Sequence, residues 1–144
     1  MDLKVYRLTE TSKIPTKAFQ TDAGLDLYSN EDKLISENSH EVIATGIAMA
    51  IPKGYFGMIR PRSGMSVKYG YNILAGIIDA DFRNEVKVVI QASEKALDIK
   101  KGDKIAQMLI LPVPEIDVVE VRDINDLEKS LIGPKNRIYI LSFW

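Results

Sequence analysis

Cysteine is absent from the 144 residues, and histidine occurs once, as His40. Without thiols there is no disulfide framework, no thiol nucleophile and no Cys-based zinc site, and one imidazole cannot make a His-rich metal centre. A Ser-His-Asp triad would have to use His40, which sits in "SENSHEV", a polar run that reads as a turn leading into a strand. An excess of one charge is also missing: 19 Lys and Arg stand against 20 Asp and Glu, for a formal net charge of -1. No basic stripe marks a nucleic-acid surface. No apolar run is long enough for a membrane span, and the opening "MDLKVYRLTE" lacks the apolar stretch of a secretion signal. These absences lead to the expectation of a soluble, intracellular and cytoplasmic protein, with neither nucleic acid nor membrane as partner. Internal repeats and Gly/Ser linkers are lacking too, and the length suits one domain with a sizeable core.

What the sequence does contain is short apolar segments with a period near two. "LKVYRL" (3 to 8) and "DVVEV" (117 to 121) alternate, while "VKVVI" (86 to 90) is rich in β-branched residues. Turn signals recur between them, among them Gly24, Gly46, the Pro52-Lys53-Gly54 run, Gly102-Asp103 and Pro112. No long stretch keeps a helical stripe. "SGMSVKYG" has room for about two helical turns beginning at Ser63, and "INDLEKS" (124 to 130) for about one. The expected class is all-β, a jelly roll or β-barrel with at most one short helix.

Several polar groups interrupt this pattern. In "GIIDADFRNEV" (76 to 86), Asp79 and Asp81 stand between two apolar runs, which read as a hairpin of strands 71 to 78 and 85 to 91. Asp and Asn are ordinary turn residues, so the acids fit either a solvated turn or a site that presents a base beside the ring of Phe82. Asp22, Asp26, Asp79 and Asp81 also suit Mg²⁺, a hard cation that takes oxygen ligands and draws several from substrate phosphates. "RPRSG" (60 to 64) offers arginines, a hydroxyl and a glycine at a helix start, a combination suited to phosphate. The plainer alternative makes Arg60 and Arg62 surface charges and Ser63 an N-cap. Gln107, the uncharged polar side chain within the apolar strand of "KKGDKIAQMLILP", needs a partner from neighbouring backbone or from a ligand.

Together these stretches resemble the trimeric dUTP pyrophosphatases. "DAGLDL" (22 to 27), "RPRSGMSVKYG" (60 to 70), "AGIIDADFRNEV" (75 to 86) and "GDKIAQM" (102 to 108) are similar, in order and spacing, to four of that family's five motifs. The likeness covers about residues 1 to 130, expected to form one jelly-roll domain. It implies a homotrimer with active sites at subunit interfaces, and Mg²⁺-assisted attack of water on the α-phosphorus of dUTP, giving dUMP and pyrophosphate. By resemblance, Asp79 is the catalytic carboxylate that activates the water. Gln107 bonds the α-phosphate and helps to place the water, while Arg62, Ser63 and Gly64 hold the phosphates. Asp26 touches Mg²⁺ through a water of its shell. Phe82, where the family usually has tyrosine, lies under the deoxyribose. The backbone around Asn72, Ile73, Gly76 and Ile78 pairs with the uracil edge; many relatives carry an Asn where this chain has Ile73. Lys104 reads as a turn charge or interface contact, and Asp81 as a turn cap or salt-bridge partner.

The fifth motif, a glycine-rich lid over the nucleotide, does not occur. Residues 131 to 144, "LIGPKNRIYILSFW", form a divergent tail in which Gly133-Pro134-Lys135 resembles a remnant. Three explanations stay open: a shifted reading frame near Lys135, loss of the lid with a change of role, or a tail that replaces it through Arg137, Tyr139 or Phe143. The function expected first is a dUTP diphosphatase slowed by loss of the lid. The alternative is a non-catalytic nucleotide-binding trimer acting on a partner protein. A dCTP deaminase of the same fold calls for a glutamate in the third motif, where this chain has Asp79. A jelly-roll carbohydrate or capsid module leaves "RPRSG" and "IIDADF" without a purpose.

Overall fold

The structure, a computed structural model, describes residues 1–129. The chain divides into two compact units, Met1–Pro114 and a second that begins at Glu115. Alternating short segments in the first unit become strands β1 (Lys4–Arg7), β2 (Leu25–Tyr28), β3 (Lys33–Ile35), β4 (His40–Ala44), β5 (Ile47–Ala50) and β6 (Tyr55–Arg60). One helix follows, α1 (Ser63–Tyr69), ended by Gly70 in the left-handed conformation. The remaining strands are β7 (Asn72–Leu74), β8 (Ile77–Ile78), β9 (Lys87–Gln91), β10 (Leu97–Ile99) and β11 (Lys104–Pro112). They form four small antiparallel sheets, ordered β1-β5, β10-β3, β2-β11-β6-β8 and β4-β9-β7, and among the described residues none closes into a barrel. The all-β class with one short helix is as expected.

Alternation does the packing. In β9, Val88 and Ile90 are fully buried, while Lys87 stays exposed. Leu27, Ile35, Ile43, Ile105 and Met108 complete the same core, each worth about 1.5–3 kcal/mol on burial. Leu27 and Met108 anchor β2 and β11 from below, so their neighbours Asp26 and Gln107 are raised on the other face.

Two expectations change. The hairpin of 71–78 with 85–91 does not form as one ribbon. The chain breaks at Ala75 and Gly76, whose φ angles are 54° and 101°. Before the break β7 pairs with β9, and after it β8 crosses to β6. Gly76 permits the switch because its backbone lies close against β6: Ile59 N–H donates to Gly76 O at 2.8 Å. "DVVEV" forms no strand. Alternation alone does not make a strand without an edge to pair with, and Val118 is 96% exposed. In the second unit the described residues hold a single 3-10 turn, Ile124–Lys129. The tail from 131 to 144, including Arg137, Tyr139 and Phe143, lies outside the described residues.

A Cβ at Gly76 would come within 2.9 Å of Ile59 O, at a φ of +101°. Gly76→Ala is therefore expected to lose about 1–3 kcal/mol or more, read as a lower urea midpoint. A midpoint equal to that of the parent would contradict the strand switch described here.

Candidate active site

The site begins with a register. Gln107 of β11 lies opposite Asp26 of β2 on one side and opposite Arg60 of β6 on the other. Residues directly opposite in antiparallel pairs share a face, so all three project from the same side of the sheet. Between Lys104 and Ala106 the pairing slips by one residue, with Lys104 opposite Tyr28 and Ala106 opposite Leu27. This bulge leaves Ile105 as the extra residue, fully buried, and turns Lys104 onto the face that carries Asp26.

Around this row the polar groups interlock. Asp26, 19% exposed, accepts from Arg62 Nε at 3.2 Å through one carboxylate oxygen and faces Lys104 Nζ at 3.4 Å through the other. Lys104 is thus a partner of Asp26 and not an idle turn charge. Arg62 spends only Nε on the pair, which leaves both terminal guanidinium nitrogens for an anion. Gln107 Nε2 donates to Pro61 O at 3.0 Å, so its partner is backbone, and its second amide hydrogen remains. The N–H of the same peptide unit, on Arg62, donates to the Tyr71 phenol at 2.6 Å, and that phenol donates to Ile105 O at 3.1 Å. Burial raises the Tyr71 phenol above the ordinary value of 10.0, against a smaller lowering by the Arg62 backbone N–H and guanidinium.

These groups border a polar cleft of about 310 Å³, lined by Asp22, Asp26, Arg62, Ser63, Lys104 and Gln107 together with Gly24 and Gly64. Ser63 does not cap the helix. The cap position belongs to Arg62, which makes no side-chain cap bond, and the exposed Ser63 hydroxyl has no hydrogen-bond partner among the described residues. Gly24 is required by its neighbour, since a Cβ there would collide with Gln107 Oε1. Arg60, opposite Gln107 in register, is exposed and borders no part of the cleft.

The second group of expected residues stands elsewhere. Phe82 N–H donates to Asp79 O at 3.1 Å, closing a turn that carries both side chains, and Arg83 Nη1 braces it through Ala80 O at 2.6 Å. Asp79 is exposed, and its carboxylate makes neither hydrogen bond nor ion pair among the described residues. Asp81 is equally unpartnered there, so it is neither the turn cap nor the salt-bridge partner expected of it. Asn72 Oδ1 accepts from Ile73 N–H at 2.9 Å. Ile78 lies opposite Gly57, three residues before Arg60, and β8 is two strands away from β11. Strand spacing alone then puts Asp79 roughly 10 Å or more from the cleft row. One chain brings together Asp26, Arg62, Ser63, Gly64 and Gln107, while Asn72, Ile73, Gly76, Ile78, Asp79 and Phe82 lie along the β7–β8 segment and the turn after it. It does not bring the two groups to one another.

Lys104, Gly24 and Tyr71 were not expected in the site. Gly24 lies inside the first motif, Lys104 in the fourth, and Tyr71 stands between Gly70 and Asn72, just after the second motif, with nothing to set it apart from the neighbouring Tyr69.

Comparison with known proteins decides the family. The sequence model of the dUTPase family matches residues 10–136. The chain belongs to the dUTPase family. It is 40% identical over 134 residues to a deoxyuridine 5'-triphosphate nucleotidohydrolase of Clostridium tetani, covering 91% of this chain and 92% of that protein. To the corresponding protein of Candida albicans it is 43% identical over 132 residues, covering 91% and 82%. Among solved structures, the dUTPase from phage phi11 of S. aureus superposes with a TM-score of 0.79 at 28% identity, covering 85% of this chain and 97% of that one. The dUTPase of Staphylococcus bacteriophage 80alpha gives 0.78 at 27% identity, again over 85% and 97%. The β-sheets of this chain are accordingly of the jelly-roll type. No described helix is long and apolar enough to cross a membrane.

The Tyr71 shift has a sign that can be read. With a folded pKa above 10.0, the phenol keeps its proton in the folded state while the unfolded chain ionises. Its contribution is fully present below that value and is lost as pH climbs through the folded one. From about pH 8 to about pH 11, stability should drop more steeply in the parent than in Tyr71→Phe. Parallel urea midpoints across that range would contradict it.

Proposed function

We propose that this chain hydrolyses dUTP to dUMP and pyrophosphate in a homotrimer, the phosphate cleft of one subunit facing the Asp79 turn of another. The observation that carries this reading is a separation: a polar cleft where Asp26 is paired with Arg62 and Lys104 and Asp22 accepts from Phe19 N–H, and an Asp79 carboxylate that has no partner among the described residues and stands outside that cleft. Family membership supplies the substrate. We take residues 1–130 as the catalytic body.

The triphosphate enters against Arg62, whose free guanidinium nitrogens clamp phosphate oxygens, with the Ser63 hydroxyl and Gly64 N–H beside them. The second hydrogen of Gln107 Nε2 donates to an α-phosphate oxygen, and Oε1 accepts from the attacking water. Asp79 takes the water's proton as its oxygen bonds to the α-phosphorus. The bond from the α-phosphorus to the bridging oxygen breaks, and pyrophosphate leaves with that electron pair. Held reactants and fixed charges supply most of the acceleration. Among the described residues no three acidic or histidine side chains gather as a cation cage. Asp26 and Asp22 in the cleft are oxygen donors that would hold Mg²⁺ carried in on the phosphates, Asp26 through a water. When bound, the ion would neutralise the phosphates and improve the leaving group.

Selectivity follows from the second group. The Phe82 ring beneath the sugar leaves no space for a ribose 2'-hydroxyl, and it keeps this wall without the family's phenol. Backbone groups near Asn72, Ile73, Gly76 and Ile78 match the uracil edge. Cytosine would leave one of them facing a like group, a strong ground for rejection. Turnover is expected to be slow, since residues 131–144 hold one glycine, Gly133, where relatives have a glycine-rich lid.

Steady-state assay of dUTP beside dCTP, dTTP and UTP tests the reading: absence of a preference for dUTP would refute it. Asp79→Asn should lower kcat by about 10²–10⁴-fold while a non-hydrolysable dUTP analogue still binds. If the parent binds that analogue tightly but never turns over dUTP, the non-catalytic trimer is the better description. Gly64→Ala should keep or raise thermal stability, by up to about 1 kcal/mol, yet weaken analogue binding, because nothing within 4 Å of a Cβ opposes it inside the chain. Unchanged binding would remove Gly64 from the site.

A further inference from the structure

One buried polar group has no part in that scheme. Tyr71 is 4% exposed and packs in the main core, yet its phenol is bonded on both sides. On one side it receives the Arg62 N–H, and on the other it donates to Ile105 O. Ile105 is the bulge residue of β11, the strand that carries Lys104 and Gln107. Arg62 is the residue before α1, which begins with Ser63 and Gly64.

The peptide unit Pro61–Arg62 is therefore held at both ends. Its carbonyl receives Gln107 Nε2, and its N–H reaches Tyr71. Rotation of that plane would change the direction of the Arg62 side chain and the orientation of the Gln107 amide together. We propose that Tyr71 is a positioning residue for the phosphate-binding groups: its phenol locks the Pro61–Arg62 peptide to the β11 bulge and so fixes the aim of Arg62 and Gln107. This rests on the dUTP reading above. It touches neither substrate nor reacting atoms, and acts through those two side chains. A phenylalanine would fill the same volume but leave the Arg62 N–H and the Ile105 carbonyl against a ring edge, with no reason for the peptide plane to keep its angle.

Three measurements on Tyr71→Phe test it: calorimetric binding of inorganic pyrophosphate with Mg²⁺, KM and kcat for dUTP, and the thermal midpoint. Pyrophosphate affinity and KM should each worsen by about tenfold, the size expected for losing a buried hydrogen-bonded link, with kcat falling less. Tyr69→Phe removes a hydroxyl that has no hydrogen-bond partner among the described residues; it serves as control and should change none of these. In an Arg62→Ala background the added loss from Tyr71→Phe should shrink well below tenfold, since one of the two groups it aims is gone. A Tyr71→Phe protein that melts earlier but binds pyrophosphate within about twofold of the parent would show a purely structural hydroxyl and overturn the proposal. A full tenfold loss persisting without Arg62 would overturn it as well. Failure of the dUTP reading looks different: there the unmutated protein shows neither preferential dUTP turnover nor pyrophosphate binding.

Discussion

Strand β11 is paired along both edges, and the position of each group in the cleft is set by where that pairing slips. Opposite Asp26 and Arg60, Gln107 has no freedom of face; a shift by one residue would send it into the core and bring Met108 out. The buried side chains of Leu27, Ile105 and Met108 forbid that shift. The bulge at Ile105 then adds what a regular ladder cannot. In regular pairing Tyr28 would face Ile105, and Lys104 would point to the opposite face. The extra residue sinks the isoleucine and presents the lysine to Asp26 instead, so one local irregularity both completes the core and charges the cleft.

The cations of the cleft are already engaged within the chain, and the exposed Asp79 carboxylate stands apart from them. Asp26 pairs with Arg62 and Lys104 at 3.2 Å and 3.4 Å, while Asp22, the other carboxylate of the cleft, accepts from Phe19 N–H. Asp79, at the end of β8, is kept clear of such partners by the strand switch at Ala75 and Gly76. In the proposed assembly it meets the cleft only across a subunit boundary, where a triphosphate has already taken up the cationic charge.

The sequence revealed the parts of this arrangement whose signal is local. Period-two alternation marks β1, β-branched residues mark β9, the Ser63 start marks α1, and the acids of 79 to 86 do sit on a turn between strands. The cleft residues Asp26, Arg62, Ser63, Gly64 and Gln107 were legible because each lies in a contiguous motif. What escaped depends on pairing. No glycine or proline announces the bulge at Ile105, and Tyr71 resembles any aromatic strand residue until its two backbone partners, 9 and 34 residues away in sequence, are seen. The Ala75-Gly76 break had a sign, a glycine inside an apolar run, but the sign does not say which neighbouring strand each half will choose. Alternation at 117 to 121 misleads for the converse reason: the pattern is local, and the edge it needs is not.

Three glycines in the site show how far an absent side chain can be interpreted. Gly24 is small because Gln107 lies over it, and Gly76 because β6 passes within van der Waals reach at a backbone angle that side chains avoid. Both have a cause inside the chain. Gly64 has none: its angle is not left-handed, it sits in a helix where alanine would be favoured, and a Cβ there would meet nothing within 4 Å. A residue that costs helix stability without relieving any internal crowding needs a cause outside the chain. Its neighbours in the cleft include Arg62, Ser63 and Lys104 beside Asp22 and Asp26, and under the proposed function that space would admit a phosphate drawn close to the backbone. The phosphate assignment therefore gains support from steric reasoning at a position where no charge is involved.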